Sequence, residues 1–124
     1  MADADYESVP ILDETTVATV TQPEPNVVAL EGEIDLHESP NVREALRGLI
    51  EQKLPRIYID LSEVSYIDSS GIAVLIDAMQ RTQAYGGKLA LFGIRDNVRT
   101  VFEIARLDQV FRIFPDKQSA LAAI

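Results

Sequence analysis

The sequence predicts an α/β sandwich built on a mixed, mainly parallel sheet of about four to five strands, flanked by about four helices. Three observations lead there. After an initial hairpin pattern, short apolar runs alternate three times with stretches whose apolar residues recur at helical spacing. Turn and cap residues punctuate the boundaries between them. With 124 residues and 47% hydrophobic content, the chain can fill one core but not two.

Residues 1 to 15 are acid-rich and show no sustained period, which reads as a flexible tail or an added edge strand. The regular domain is expected from residue 16 to 124. Thr16 to Thr21 reads as a strand, Pro23-Glu24-Pro25-Asn26 as a turn, and Val27 to Leu30 as the second arm of a hairpin. Ser39 and Pro40 supply an N-cap and a first-turn proline for helix one, whose Val42, Ala45, Leu46, Leu49 and Ile50 share a face until about Gln52. A buried strand at 57 to 61 follows, then a loop from Ser62 to Ile67. Helix two then carries Ile72, Leu75, Ile76 and Met79 inward and stops at Gly86-Gly87, near Tyr85. Lys88 to Gly93 is a continuous apolar run, read as another buried strand. Asp96 or Asn97 is expected to cap helix three, with Val98, Val101, Phe102 and Ala105 facing inward. Val110 to Phe114 forms an edge strand, and Asp116 caps a last helix through Leu121.

The net charge of -9 is uneven: residues 1 to 40 hold ten Asp or Glu and no Lys or Arg, while the remainder holds ten acids and eleven bases. Such a chain repels phosphate backbones, so no nucleic-acid partner is expected. Arg95, Arg99, Arg106 and Arg112 are read as solvated charges and not as a basic patch. The chain has no cysteine, which removes disulfides, thiolate metal sites and cysteine catalysis. Its start is acidic, unlike a signal peptide, and no apolar run approaches the ~18 residues of a membrane span. A cytoplasmic protein without a membrane partner is the expectation.

The most informative stretch is Tyr66-Ile67-Asp68-Ser69-Ser70-Gly71, placed at the start of helix two. Asp68 and Ser69 are both good N-cap residues, so one can satisfy an orphan N–H while the other projects outward. An outward group there sits where backbone N–H groups and the helix dipole favour negative charge, so the fold would tolerate a phosphate on Ser69. Taken alone, the sequence is adequately explained as a cap. If the strands at 27 to 30 and 57 to 61 run parallel and adjacent, Asp35 and Ser69 lie at one end of the domain. Asp35 and Ser39 then serve either a partner or only their own loop and helix cap.

The order Gly32-Glu33-Ile34-Asp35 ahead of helix one and Asp68-Ser69-Ser70-Gly71 ahead of helix two resembles the STAS domain of bacterial anti-sigma factor antagonists, over residues 16 to 124. In such proteins the serine directly after the motif aspartate is phosphorylated, which maps onto Ser69 and makes Ser70 its neighbour. The resemblance implies a partner-switching regulator. Unphosphorylated, it binds an anti-sigma factor serine kinase and releases a sigma factor; phosphorylated, it lets go until a serine phosphatase resets Ser69. The candidate partner-binding residues are Asp35, His37, Ser39, Asp68, Ser69, Ser70, Gly71 and Ile72. Residues 1 to 15 have no counterpart in the shorter members of that family.

Catalytic chemistry is not expected. Asp35, His37 and Ser69 include the residue types of a hydrolase triad, but a nucleophile elbow needs Gly where Ile67 stands. His37 reads as a surface loop residue, and neither a phosphate-binding glycine loop nor a zinc-binding pair of histidines is present in the sequence. No cofactor or metal is expected. Two other readings compete with the kinase-linked switch. An aspartate-phosphorylated receiver domain would use Asp60 as acceptor, but neither Lys88 nor Lys117 falls where that class needs its lysine. A STAS module serving transport or scaffolding, with no kinase, is the other. The oligomeric state stays open.

Overall fold

The computed structural model of the protein describes residues 20–124, in which five strands form one sheet in the order β1-β2-β3-β4-β5. β1 (Val20–Glu24) pairs antiparallel with β2 (Val27–Ile34), and β3 (Arg56–Ile67), β4 (Lys88–Phe92) and β5 (Arg112–Phe114) continue parallel to β2. Each parallel step needs a crossover, supplied by α1 (Ser39–Glu51), α2 (Ser69–Ala84) and α3 (Asp96–Ile104). A short turn of 3-10 helix, Leu107–Gln109, precedes β5, and α4 (Lys117–Ala123) ends the chain. The α/β class and the mixed, mainly parallel sheet agree with the sequence prediction. The tail of residues 1–15 and the start of the Thr16 strand lie outside the described residues.

Right-handed crossovers between successive parallel strands put α1, α2 and α3 on one face of the sheet. There Leu46, Leu49, Leu75 and Phe102 meet Ile57, Ile59 and Leu61 in one core cluster. Strand alternation sends Tyr58, Ala90 and Phe92 to the other face, where Ala120 of α4 covers them. Asp116 caps α4 by accepting the Ser119 N–H at 2.8 Å, and Lys117 pairs with Glu24 of β1.

The structure corrects several boundaries. β2 does not end at Leu30, and residues 62–67 are not a loop: both strands run on side by side to the pair Ile34 and Ile67. The pairing slips twice, between Ala29 and Glu31 and between Gly32 and Glu33, and Gly32 takes a left-handed φ of 81° there. Those bulges break the two-residue alternation, so Leu61, Val64 and Ile67 point inward at a spacing of three and the sequence does not read as a strand. β1 continues through Pro23 to Glu24, because an edge strand with a register shift tolerates proline.

The N-cap of α1 is Glu38, not Ser39; Ser39 is already the first helical residue and only 6% exposed. Arg95, not Asp96 or Asn97, occupies the N-cap position of α3. Asp96 begins the helix instead, and the Asn97 amide donates to the Ser65 carbonyl at 2.7 Å. With Arg95 donating to the Ser62 carbonyl at 2.9 Å, these contacts satisfy the edge of β3 that extends beyond β4. Ala105 falls just past α3 and is exposed. β5 is only three residues long, because Phe111 leaves the expected strand to pack edge-to-face on Phe102 with ring centroids 5.6 Å apart.

Phe102 is fully buried and joins α3 to this corner of the core. Phe102→Ala should therefore lower the unfolding free energy by ~3–5 kcal/mol, read from urea melts.

Candidate functional site

The two sequence motifs meet at the carboxyl ends of β2 and β3, through one side chain. Asp68 is the N-cap of α2 with extended backbone, and its Oδ1 accepts from the Ser70 N–H at 2.9 Å, the Gly71 N–H at 3.1 Å and the Ser70 hydroxyl at 2.6 Å. Its Oδ2 accepts the Leu36 N–H at 3.2 Å, from the loop after β2. The Asp68 N–H in turn donates to the Ile34 carbonyl at 3.2 Å. A loop 32 residues away in sequence is thus tied to the start of α2.

Gly71 permits that approach. A Cβ at this position would stand 2.6 Å from the Ile34 carbonyl oxygen and 2.8 Å from Cγ1 of Ile67, closer than a side chain can sit. Ile72 beside it belongs to the core cluster. Both residues are buried and shape the surface from beneath.

The β2–α1 loop is held by Asp35. Its Oδ1 accepts from the N–H groups of His37 and Glu38, both at 3.0 Å, and its carbonyl accepts from Glu38 and Ser39. The Asp35 carboxylate is therefore engaged in shaping its own loop. Ser39 is tucked below it, its hydroxyl donating to the Leu36 carbonyl at 3.4 Å. His37 is an exposed loop residue whose Nε2 lies 3.9 Å from a Glu38 carboxylate oxygen.

What faces outward is Ser69, the first residue of α2. Its side chain makes no hydrogen bond among the described residues, whereas the hydroxyl of Ser70 is committed to Asp68. At this same end of the sheet the β2–α1 loop carries Leu36, 75% exposed, and the last residues of β3 carry Tyr66, 49% exposed. Neither residue carries a signal in the sequence, because single exposed apolar residues are common and have no meaning until the fold shows where they stand.

Ser70's hydroxyl holds the Asp68 carboxyl below its ordinary value; partial desolvation opposes this, and the N–H groups of Gly71, Ser70 and Leu36 add to the lowering. Elsewhere, the Asp60 carboxylate accepts the Ser62 N–H at 2.9 Å within β3, away from the strand end where a receiver's acceptor aspartate would stand.

This arrangement can be compared with known proteins. The STAS domain family profile matches residues 16–120. The chain belongs to the STAS domain family. It is 38% identical over 82 residues to the anti-sigma-B factor antagonist of Listeria monocytogenes, covering 66% of this chain and 72% of that protein. A crystal structure of an anti-sigma factor antagonist from Mycobacterium paratuberculosis is similar at 26% identity and a TM-score of 0.74, over 85% of this chain and 90% of that one. The phosphorylated form of SpoIIAA, a Bacillus cell fate determinant, shares the fold at 23% identity and a TM-score of 0.64, over 83% of this STAS chain and 95% of its own. No helix among the described residues is long and apolar enough to cross a membrane.

Two outcomes follow from the geometry. The folded pKa of Asp68 lies below its unfolded value of about 3.8, so its contribution to stability is present above that pH and is lost as pH falls through the lower folded value. Asp68→Ala should cost ~0.5–2 kcal/mol at neutral pH in urea melts, a difference that shrinks in strong acid. Gly71→Ala should cost ~1–3 kcal/mol by the same measurement, as α2 is pushed off Ile34.

Proposed function

We propose that this STAS protein is an anti-sigma factor antagonist switched by phosphorylation of Ser69. Unphosphorylated, it binds an anti-sigma factor serine kinase in the cytoplasm and so releases a sigma factor; phosphorylated, it dissociates until a serine phosphatase restores the hydroxyl. In this reading the protein is a substrate and a binder, not an enzyme. The domain proper begins near residue 16, and residues 1 to 15 are an appendage to it.

The observation that carries the reading is the division of labour within Asp68-Ser69-Ser70. Asp68 and Ser70 bond to one another, which leaves the exposed Ser69 hydroxyl as the group a kinase reaches. Names of related proteins support the same reading: the Listeria relative is an anti-sigma-B factor antagonist, and the Bacillus fold neighbour occurs in a phosphorylated form.

A phosphate at Ser69 acts differently on fold and interface. Within the domain, an anion at the N-terminus of α2 gains ~0.3–1 kcal/mol from the helix dipole, offset in part by Asp68. Against a partner surface shaped for a neutral hydroxyl, the same charge loses its water and meets misplaced like charges, at a cost of several kcal/mol. A loss of ~3 kcal/mol weakens binding roughly a hundredfold, enough to exchange one partner for another.

Incubation with an anti-sigma-type serine kinase and ATP should place phosphate on Ser69, mapped by mass spectrometry; modification confined to Ser70 or Ser65 refutes the assignment. Ser69→Ala should bind the kinase persistently and Ser69→Asp weakly, in titration calorimetry. Leu36→Glu should weaken that binding at least tenfold while leaving the melting temperature near wild type, since Leu36 contributes little to the core.

A further inference from the structure

Away from Ser69, the outer groove between α1 and α2 encloses about 260 Å³. Leu46, Ile50, Val74 and Ala78 make its floor, and Arg43, Arg47 and Arg81 stand along its rim. The acids at this groove do not balance those cations. Asp77 is shared, its Oδ2 lying 2.9 Å from Arg81 Nε and 4.0 Å from Arg43 Nη1. Glu51 is the other acid of the lining, and Arg47 has no ion pair among the described residues. Arg43 and Arg47 also sit one helical turn apart, where like charges repel. In a chain of net charge -9, this is a local excess of positive charge, above a floor in which Leu46, Val74 and Ala78 are buried and Ile50 is half-buried.

We propose that this groove binds the chain's own N-terminal segment, from Asp3 to Glu14. Charge complementarity is the first argument: the segment carries Asp3, Asp5, Glu7, Asp13 and Glu14 with no Lys or Arg. Its Tyr6, Val9, Ile11 and Leu12 supply apolar side chains for the half-buried Ile50. Direction and reach are the second. β1 is antiparallel to β2 with Val20 opposite Leu30, so Val20 is the residue of β1 nearest the end of the sheet where α1 and α2 begin. α1 itself packs against β1. The six residues from Glu14 to Thr19 span up to ~20 Å, ample to pass from the sheet edge onto the helix layer. Once there, acids at the rim relieve the repulsion between Arg43 and Arg47 while an apolar side chain rests on the half-buried Ile50. This inference stands apart from the assignment of Ser69 and does not depend on it.

The test uses the full chain. It contains no cysteine, so Ser8→Cys carries a nitroxide label at one position only. Amide resonances of α1 around Arg43 to Ile50 and of α2 around Val74 to Arg81 should lose intensity through paramagnetic broadening. That loss should disappear in about 1 M salt, where the Debye length is about 3 Å, and in the double variant Arg43→Glu with Arg47→Glu. Adding Asp13→Lys and Glu14→Lys to that variant should restore it. Broadening confined to other surfaces, or unaffected by the arginine changes, overturns the proposal. Broadening that appears only between labelled and unlabelled copies in a mixed sample assigns the groove to a second molecule and overturns it equally.

Discussion

One carboxylate holds together the end of this domain that carries Ser69. Asp68 receives hydrogens from Ser70, from Gly71 and, across the gap between two strands, from Leu36. A cap needs only the first two; the third makes it a clamp, because it ties the β2–α1 loop to the start of α2. The exposure of Ser69, the orientation of Ser70 and the placement of Leu36 all follow from that clamp. The neighbouring Gly71 is its steric counterpart, since only a residue without a side chain lets α2 begin against the Ile34 carbonyl.

The clamp rests on an unusual stretch of sheet. β2 and β3 continue past the point where β4 stops, and their outer halves pair with each other through two register slips. Each slip adds bend and twist, which re-aims the strand ends toward the helix layer. The outer edge of β3 would be left with unpaired carbonyls, and Arg95 and Asn97 at the start of α3 accept that role by donating to Ser62 and Ser65. A surface that presents a hydroxyl at one end is therefore tied to the starts of all three crossover helices.

Much of this was legible in the residues. Asp-Ser-Ser-Gly before an apolar helical stripe marks both a cap and an outward serine, and the hairpin, helices and final Asp116 cap can be read from turn chemistry and period. What misled were residues whose local preference lost to tertiary contacts. Ser39 has the composition of a cap but is buried beneath the Asp35 loop, so Glu38 takes the position. Asn97 gives up its own helix's cap to donate to β3. Val64 and Ile67 belong to a strand whose bulges hide its alternation.

The sequence by itself determined the class of the fold and the STAS resemblance and singled out Ser69 at the helix start, because each rests on short-range pattern: period, caps and a contiguous motif. Only the tertiary structure decided that Asp68 reaches Leu36, that Gly71 is needed against Ile34, that Leu36 and Tyr66 stay exposed at that end of the sheet, and that three arginines from two helices line one groove. Those facts depend on contacts between residues far apart along the chain, and a one-dimensional pattern carries no register between strands until their hydrogen bonds are formed.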